Sequence, residues 1–106
     1  MLVVFKKQYL KELYSEGKTT DKHLRFQPNV VKGYQKSIRY LISAKRMEDL
    51  YTVNSLHLES LQGDKNGLFS VRATQQYRVE FYIQQEANGE TNVTICNITE
   101  LSNHYK

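Results

Sequence analysis

The stretch from Leu61 to Phe81 constrains this chain more than any other. Phe69, Val71 and Ala73 alternate with Ser70, Arg72 and Thr74, and after a short polar turn Tyr77, Val79, Phe81 and Ile83 alternate with Arg78, Glu80, Tyr82 and Gln84. A period of two on both sides of a turn predicts an antiparallel hairpin with one apolar and one polar face, covered on one side only. If Val71 pairs with Val79 and Phe69 with Phe81, Arg72 falls directly opposite Arg78 on the polar face. Like charges facing each other across strands destabilise a sheet, so stability alone gives little reason to keep them. Two guanidiniums on one face can clamp a phosphate or offset charge developing on it. The alternative is that Glu80 forms ordinary salt bridges with one or both. The preceding Gly63-Asp64-Lys65-Asn66-Gly67 reads as a turn. It is no phosphate loop of the Walker kind, because a strand follows where a helix is required.

The rest of the chain supplies cover for this hairpin. Leu2 to Phe5 reads as a short strand, and from Gln8 the apolar residues Tyr9, Leu10, Leu13 and Tyr14 recur at helical spacing until Gly17, a natural helix stop. Lys18 to Gln27 is a polar loop with Leu24 and Phe26 available to tuck against the core. Pro28 suits the first turn of a second helix, along which Val31, Tyr34, Ile38, Leu41 and Ile42 mark one face and Lys32, Lys36, Arg39, Lys45 and Arg46 mostly the other. Gly33 is a mild cost there, about 1 kcal/mol against Ala, and its smallness suggests close packing against the first helix. Met47 to Leu61 shows no clean period: Leu50, Tyr51 and Val53 either close the helix or begin its exit, and Asn54-Ser55 is a break. Ala87-Asn88-Gly89 is a second hairpin turn, with Asn-Gly the specific signal. Val93 and Ile95 resume the alternation, but Ile98 and Leu101 differ in parity, which predicts a bulge near Asn97. Ser102 to Lys106 reads as a polar tail. The expected fold is α+β with order β-α-α-β-β-β, the two N-terminal helices packed on one face of a small, mostly antiparallel sheet, all within a single domain spanning 1–106.

Charge is unevenly spread. Residues 1–50 hold eleven Lys and Arg against five Asp and Glu, a balance of +6, whereas residues 51–106 hold four against six, a balance of −2. A basic half points either to an anionic partner such as nucleic acid or to a solubilising helix surface. The longest apolar runs are a few residues, so no membrane span is expected, and no signal peptide is legible. Cys96 is alone in an alternating apolar stretch and reads as a small buried hydrophobe, which fits a reducing cytoplasm. No His/Cys set has zinc spacing, and no metal or cofactor is expected.

Other candidates surround the hairpin. Tyr82 shares the polar face and could stack on a base or shield the sheet. His57 and Glu59 lie two apart, a spacing that in extended chain aims both the same way, as an acid/base pair would require; otherwise His57 is partly buried and Glu59 solvated. His104 and Tyr105 lie near the end, where the last strand could return them over the sheet.

Leu61-Gln62-Gly63-Asp64-Lys65-Asn66-Gly67-Leu68-Phe69-Ser70-Val71-Arg72, followed by Gln76-Tyr77-Arg78-Val79-Glu80-Phe81, resembles the core signature of the RelE/ParE toxin superfamily, and its HigB-like branch above all. There a Gly-Asp turn leads into a Ser-Ile-Arg strand and then an aromatic-Arg-Ile strand. Ile98 to Tyr105 resembles the closing strand and tail of the same family. The likeness is specific over residues 56–106; before that it rests on element order and length.

The resemblance implies the toxin half of a type II toxin–antitoxin pair. Its partners would be a HigA-like helix-turn-helix antitoxin, messenger RNA on the ribosome and ribosomal RNA. The implied activity is ribosome-dependent endonucleolytic cleavage of mRNA by 2′-hydroxyl attack on the adjacent phosphodiester, with inhibition of translation. Arg72 and Arg78 match the family's strand arginines, implying phosphate and transition-state stabilisation, and Lys65 matches a basic turn position that contacts RNA backbone. Tyr82 and Tyr105 are further RNA-binding candidates. The chain departs from the family where His is common before the turn, which here reads Glu59 with His57 earlier. It departs again where Asp-Tyr-His is common in the tail, which here reads Asn103-His104-Tyr105. Glu59 or His57 is the expected base and His104 the expected acid. Two alternatives stand beside this: a ParE-like toxin that inhibits DNA gyrase without nuclease action, and a member whose catalysis has decayed.

Overall fold

A computed structural model of the chain describes residues 1–103, the side chain of Asn88 excepted. A five-stranded sheet is built from β1 (Leu2–Phe5), β2 (Glu59–Ser60), β3 (Phe69–Arg72), β4 (Tyr77–Asn88) and β5 (Thr91–Asn103), in the order β1-β5-β4-β3-β2. β1 runs parallel to β5, and the other neighbours are antiparallel. Helices α1 (Gln8–Glu16) and α2 (Pro28–Ser43) cover one face, and a short α3 (Met47–Tyr51) follows. The expected α+β class and helix placement hold. Two small elements, α3 and β2, join the expected order. Five residues are too few to show a helical period, and two are too few to alternate.

Amphipathic spacing is what makes the two long helices a cover. Tyr9, Leu10 and Leu13 of α1 and Val30, Val31, Tyr34, Ile38 and Leu41 of α2 are buried against Val71, Val79, Phe81, Cys96, Ile98 and Leu101 of the sheet. Each large side chain removed from water there contributes about 1.5–3 kcal/mol. Hydrogen bonds lock the helices together. The Tyr34 hydroxyl donates to the Leu10 carbonyl at 2.7 Å, and the Gln35 amide donates to the Leu13 and Tyr14 carbonyls at 3.2 Å. α1 stops at Gly17, whose φ of 74° is the left-handed cap that glycine adopts without strain. Pro28 sits in the first turn of α2, where its missing N–H costs nothing. Phe26 does tuck in, its ring stacked on Tyr9 at 6.2 Å and edge-on to Tyr77 at 5.8 Å. Cys96 is fully buried, and desolvation pushes its thiol up to about 12.

Four expectations need correcting. Gly33 does not make room for α1. A Cβ there would lie 2.1 Å from the Ala73 carbonyl oxygen, so its smallness admits the turn after β3. The irregularity in β5 lies after Ile98 rather than near Asn97: Phe81 pairs with Ile98 and Glu80 with Glu100, leaving Thr99 as the extra residue. That one residue is why Ile98 and Leu101 both reach the core despite opposite parity. β4 continues through Asn88, which pairs with Thr91, so the second hairpin turns at Gly89-Glu90. β5 likewise runs on to Asn103, so Ser102 belongs to the sheet and not to a tail.

Candidate active site

The hairpin register is the one read from the alternation: Phe69 opposite Phe81, Val71 opposite Val79 and Arg72 opposite Arg78. Carried across the sheet, it lays down two adjacent rows of polar residues. One runs Arg72–Arg78–Ser102 and the other Glu59–Ser70–Glu80–Glu100. Neighbouring strands lie about 4.8 Å apart, so these groups are within reach of one another. The apolar residues between them in sequence face the helices. The loop joining β2 to β3 is closed by a hydrogen bond from the Leu61 N–H to the Leu68 carbonyl at 2.9 Å, and it contains a single 3₁₀ turn at Gly63–Lys65.

Lys65 reaches from that loop to the sheet. Its Nζ donates to both carboxylate oxygens of Glu80, at 2.8 and 3.0 Å, and Glu80 also accepts from the Ser102 hydroxyl at 2.7 Å. Glu80 therefore takes its partners from the loop and from β5, not from the arginines that share its hairpin. Arg78 is held separately. Its Nε donates to Ser70 Oγ at 2.7 Å, and its Nη2 donates to the Ser70 carbonyl at 3.2 Å and to the His57 carbonyl. Ser70, Arg78 and Glu80 are all buried. Taking ionic groups out of water costs several kcal/mol each before such bonds offset it, so this side of the sheet is expensive to build.

Arg72 stands differently. It is half-buried, its backbone carbonyl accepts from Ser37 Oγ of α2 at 2.8 Å, and its buried Nε has no partner among the described residues. The two arginines thus oppose each other in register but draw their contacts from different parts of the molecule.

His57 is exposed and ends the 3₁₀ turn Asn54–Leu56 in a left-handed conformation, φ 45°. The chain between it and Glu59 is therefore not extended, and their spacing does not by itself aim the two side chains together. His57 is tied to the site through its carbonyl and Arg78. Glu59 is exposed on β2, opposite Ser70. Tyr82 is half-buried on β4 opposite Asn97. His104 and Tyr105 lie outside the described residues. Sequence reading missed Ser70 and Ser102, and the alternative in which Glu80 pairs with the arginines is not what the structure shows. The parity of Ser70 was visible, but its bond to Arg78 depends on the rotamer two strands share.

A second polar cluster flanks the site where α1 meets β5. The Tyr9 hydroxyl donates to Glu100 at 2.6 Å and accepts from the Leu101 N–H at 3.2 Å, while Lys7 Nζ donates to Glu100 at 2.8 Å. Burial and the Glu100 carboxylate push the Tyr9 hydroxyl well above the ordinary phenol range. Partial burial pulls Glu100 upward, but the hydrogen bonds from Lys7 and Tyr9 outweigh it and hold the carboxyl below its ordinary value. Among the described residues no group of three or more His, Cys, Asp and Glu is placed to hold a metal ion, and no helix is long and apolar enough to cross a membrane.

No curated protein matches this chain. Among solved structures, a YoeB/ParE toxin from Agrobacterium tumefaciens is similar at 17% identity, with a TM-score of 0.58 over 99% of this chain and 100% of that one, a likeness of fold. A family model described as HigB-like toxin, the RelE-like toxin of the type II toxin-antitoxin system HigB, matches residues 3–96. That span takes in both helices, the Gly-Asp-Lys turn and both strand arginines, and by it the chain belongs to the HigB-like family of RelE-like type II toxins.

Proposed function

We propose that this toxin is a ribosome-dependent mRNA endonuclease of the cytoplasm, and that the polar face of its sheet is where the message is cut. Membership of a type II family implies an antitoxin partner; a HigA-like helix-turn-helix protein is the one proposed. The observation that carries the reading is the placement of Lys65 over the sheet on Glu80, two residues along β4 from the buried Arg78, which stands opposite Arg72 in register. In this scheme Glu59 or His57 takes the proton from a ribose 2′-hydroxyl. The freed oxygen attacks the adjacent phosphorus, and the 5′-oxygen leaves with a proton from His104. The products are a 2′,3′-cyclic phosphate and a 5′-hydroxyl. Arg78, its Nε committed to Ser70, acts as a fixed positive charge beneath the phosphate; Arg72 supplies the second cation. Lys65 contacts the RNA backbone, and Tyr82 and Tyr105 contact bases or sugars. Fixed charges of this kind stabilise a transition state without reorganising.

Incubating purified protein with ribosomes carrying a defined message and mapping the ends tests this. Wild type should cleave the bound message and leave free RNA intact, and an Arg72→Ala/Arg78→Ala double variant should cleave at least about 100-fold more slowly. Equal inhibition of translation by both proteins would show that the assigned face is wrong. An intact message together with blocked DNA supercoiling by gyrase would move the protein to the ParE-like reading.

A further inference from the structure

We infer that Glu80 is a positioning residue: it holds the Lys65 ammonium, and with it the loop 62–67, over the polar face of the sheet, with Ser102 fixing the carboxylate. The role toward RNA rests on the ribonuclease reading; the anchoring of the loop does not. Burial does not hold this loop. Residues 62–67 are all exposed, and the 3₁₀ turn within them hides no side chain. Its backbone bonds are internal: the Leu61 N–H donates to the Leu68 carbonyl at 2.9 Å, and the Leu68 and Asn66 N–H groups donate to the Lys65 and Gly63 carbonyls at 3.0 Å. They set the shape of the loop, not its place above the sheet. Lys65 makes the crossing, its Nζ donating to the two Glu80 oxygens at 2.8 and 3.0 Å. Ser102 Oγ donates to Glu80 Oε2 from the next strand at 2.7 Å.

Glu80 is a costly residue at this position. It is the one buried carboxylate among the described residues, and it stands opposite Glu100 in register. Like charges facing each other across strands are destabilising. A lysine whose side chain stays 52% exposed offsets little of the water stripped from the carboxylate. What the arrangement gains is placement. An ammonium has three N–H donors, so two bonds to Glu80 leave one for an RNA phosphate oxygen. A cation already in place loses little freedom when that contact forms. Both Glu80 oxygens are engaged and the residue is buried, so Glu80 is not itself placed to take a proton from RNA. It acts through Lys65.

The test compares full-length wild type, Glu80→Gln, Lys65→Gln and the double variant. Glu80→Gln keeps the shape of the side chain and an acceptor for Ser102 but removes the charge. Lys65→Gln removes the other end of the pair at a surface position that leaves the core intact. Two quantities are read: backbone order parameters of residues 64–67 by NMR relaxation, and the single-turnover rate of cleavage of ribosome-bound message. The order parameters should fall from about 0.85 in wild type to below about 0.6 in either single variant. Cleavage should slow about tenfold in each single variant and no further in the double, because without Lys65 there is nothing for Glu80 to position. A purely structural Glu80 would slow cleavage by the same factor with or without Lys65. That result, or a loop that stays ordered in Glu80→Gln, would overturn the inference. A wild type that leaves the message intact counts against the ribonuclease reading instead. The order parameters then decide alone: a loosened loop upholds the anchor and an ordered one removes it.

Discussion

Where the two faces of the sheet are driest they are chemically opposite. Toward the helices, Val71, Val79 and Phe81 are 0% exposed; on the other side, Ser70 is 1% exposed and Arg78 and Glu80 are each 5% exposed. The apolar face gains stability from every side chain it hides. The polar face must first strip water from a guanidinium and a carboxylate, and its hydrogen bonds to Ser70, His57, Lys65 and Ser102 go mainly to offsetting that loss. At these three positions burial returns little stability, as expected of a surface kept for work other than folding.

Substitutions can break or sharpen that contrast. Phe81→Ala should have the largest effect, lowering the unfolding free energy in urea by about 3–5 kcal/mol, since the core cannot close over the space of a ring. Gly33→Ala should cost about 1–3 kcal/mol in the same assay, because the new methyl meets the backbone at Ala73, which cannot swing aside as a side chain would. Ser70→Ala should cost about 1–2 kcal/mol by unpairing one N–H of Arg78; a loss as great as that of Phe81→Ala would make the polar face a second core and erase the distinction. Glu100→Gln should be smallest, about 0.5 kcal/mol near neutral pH, because Lys7 and Glu100 are 50% and 40% exposed and solvent screens them. Its sign with pH is fixed. The carboxyl is held below its ordinary value in the fold, so its contribution is present above the ordinary carboxylate range. It fades as pH falls through the lowered value, and wild type and variant should converge in acid.

The apolar face was legible almost residue by residue, because period two in the strands and period 3.6 in α2 are direct consequences of which side is dry. The register followed from the same alternation, and with it the opposition of Arg72 and Arg78. The polar face was legible only as positions. Nothing in the spacing of Lys65 and Glu80 says that a 3₁₀ turn brings them within 2.8 Å, and nothing in His57-Leu58-Glu59 reveals the left-handed residue that breaks the extended chain. Partnerships across a loop depend on the loop's path, which leaves no period in the sequence. The bulge at Thr99 lies between these cases: its existence showed in the parity of Ile98 and Leu101, while its place depended on the pairing with β4.

The most direct test of the polar face replaces its buried network with apolar groups and reads stability and activity side by side. An Arg78→Met/Ser70→Ala variant removes the Nε–Oγ pair from both sides at once, and the His57 carbonyl belongs to an exposed residue that water can serve. Urea unfolding should show stability unchanged or raised by about 1–4 kcal/mol, while cleavage of ribosome-bound message falls at least about 100-fold. A variant that unfolds several kcal/mol more easily and loses activity only in proportion to the unfolded fraction, or one that keeps full activity, would contradict a face maintained for function.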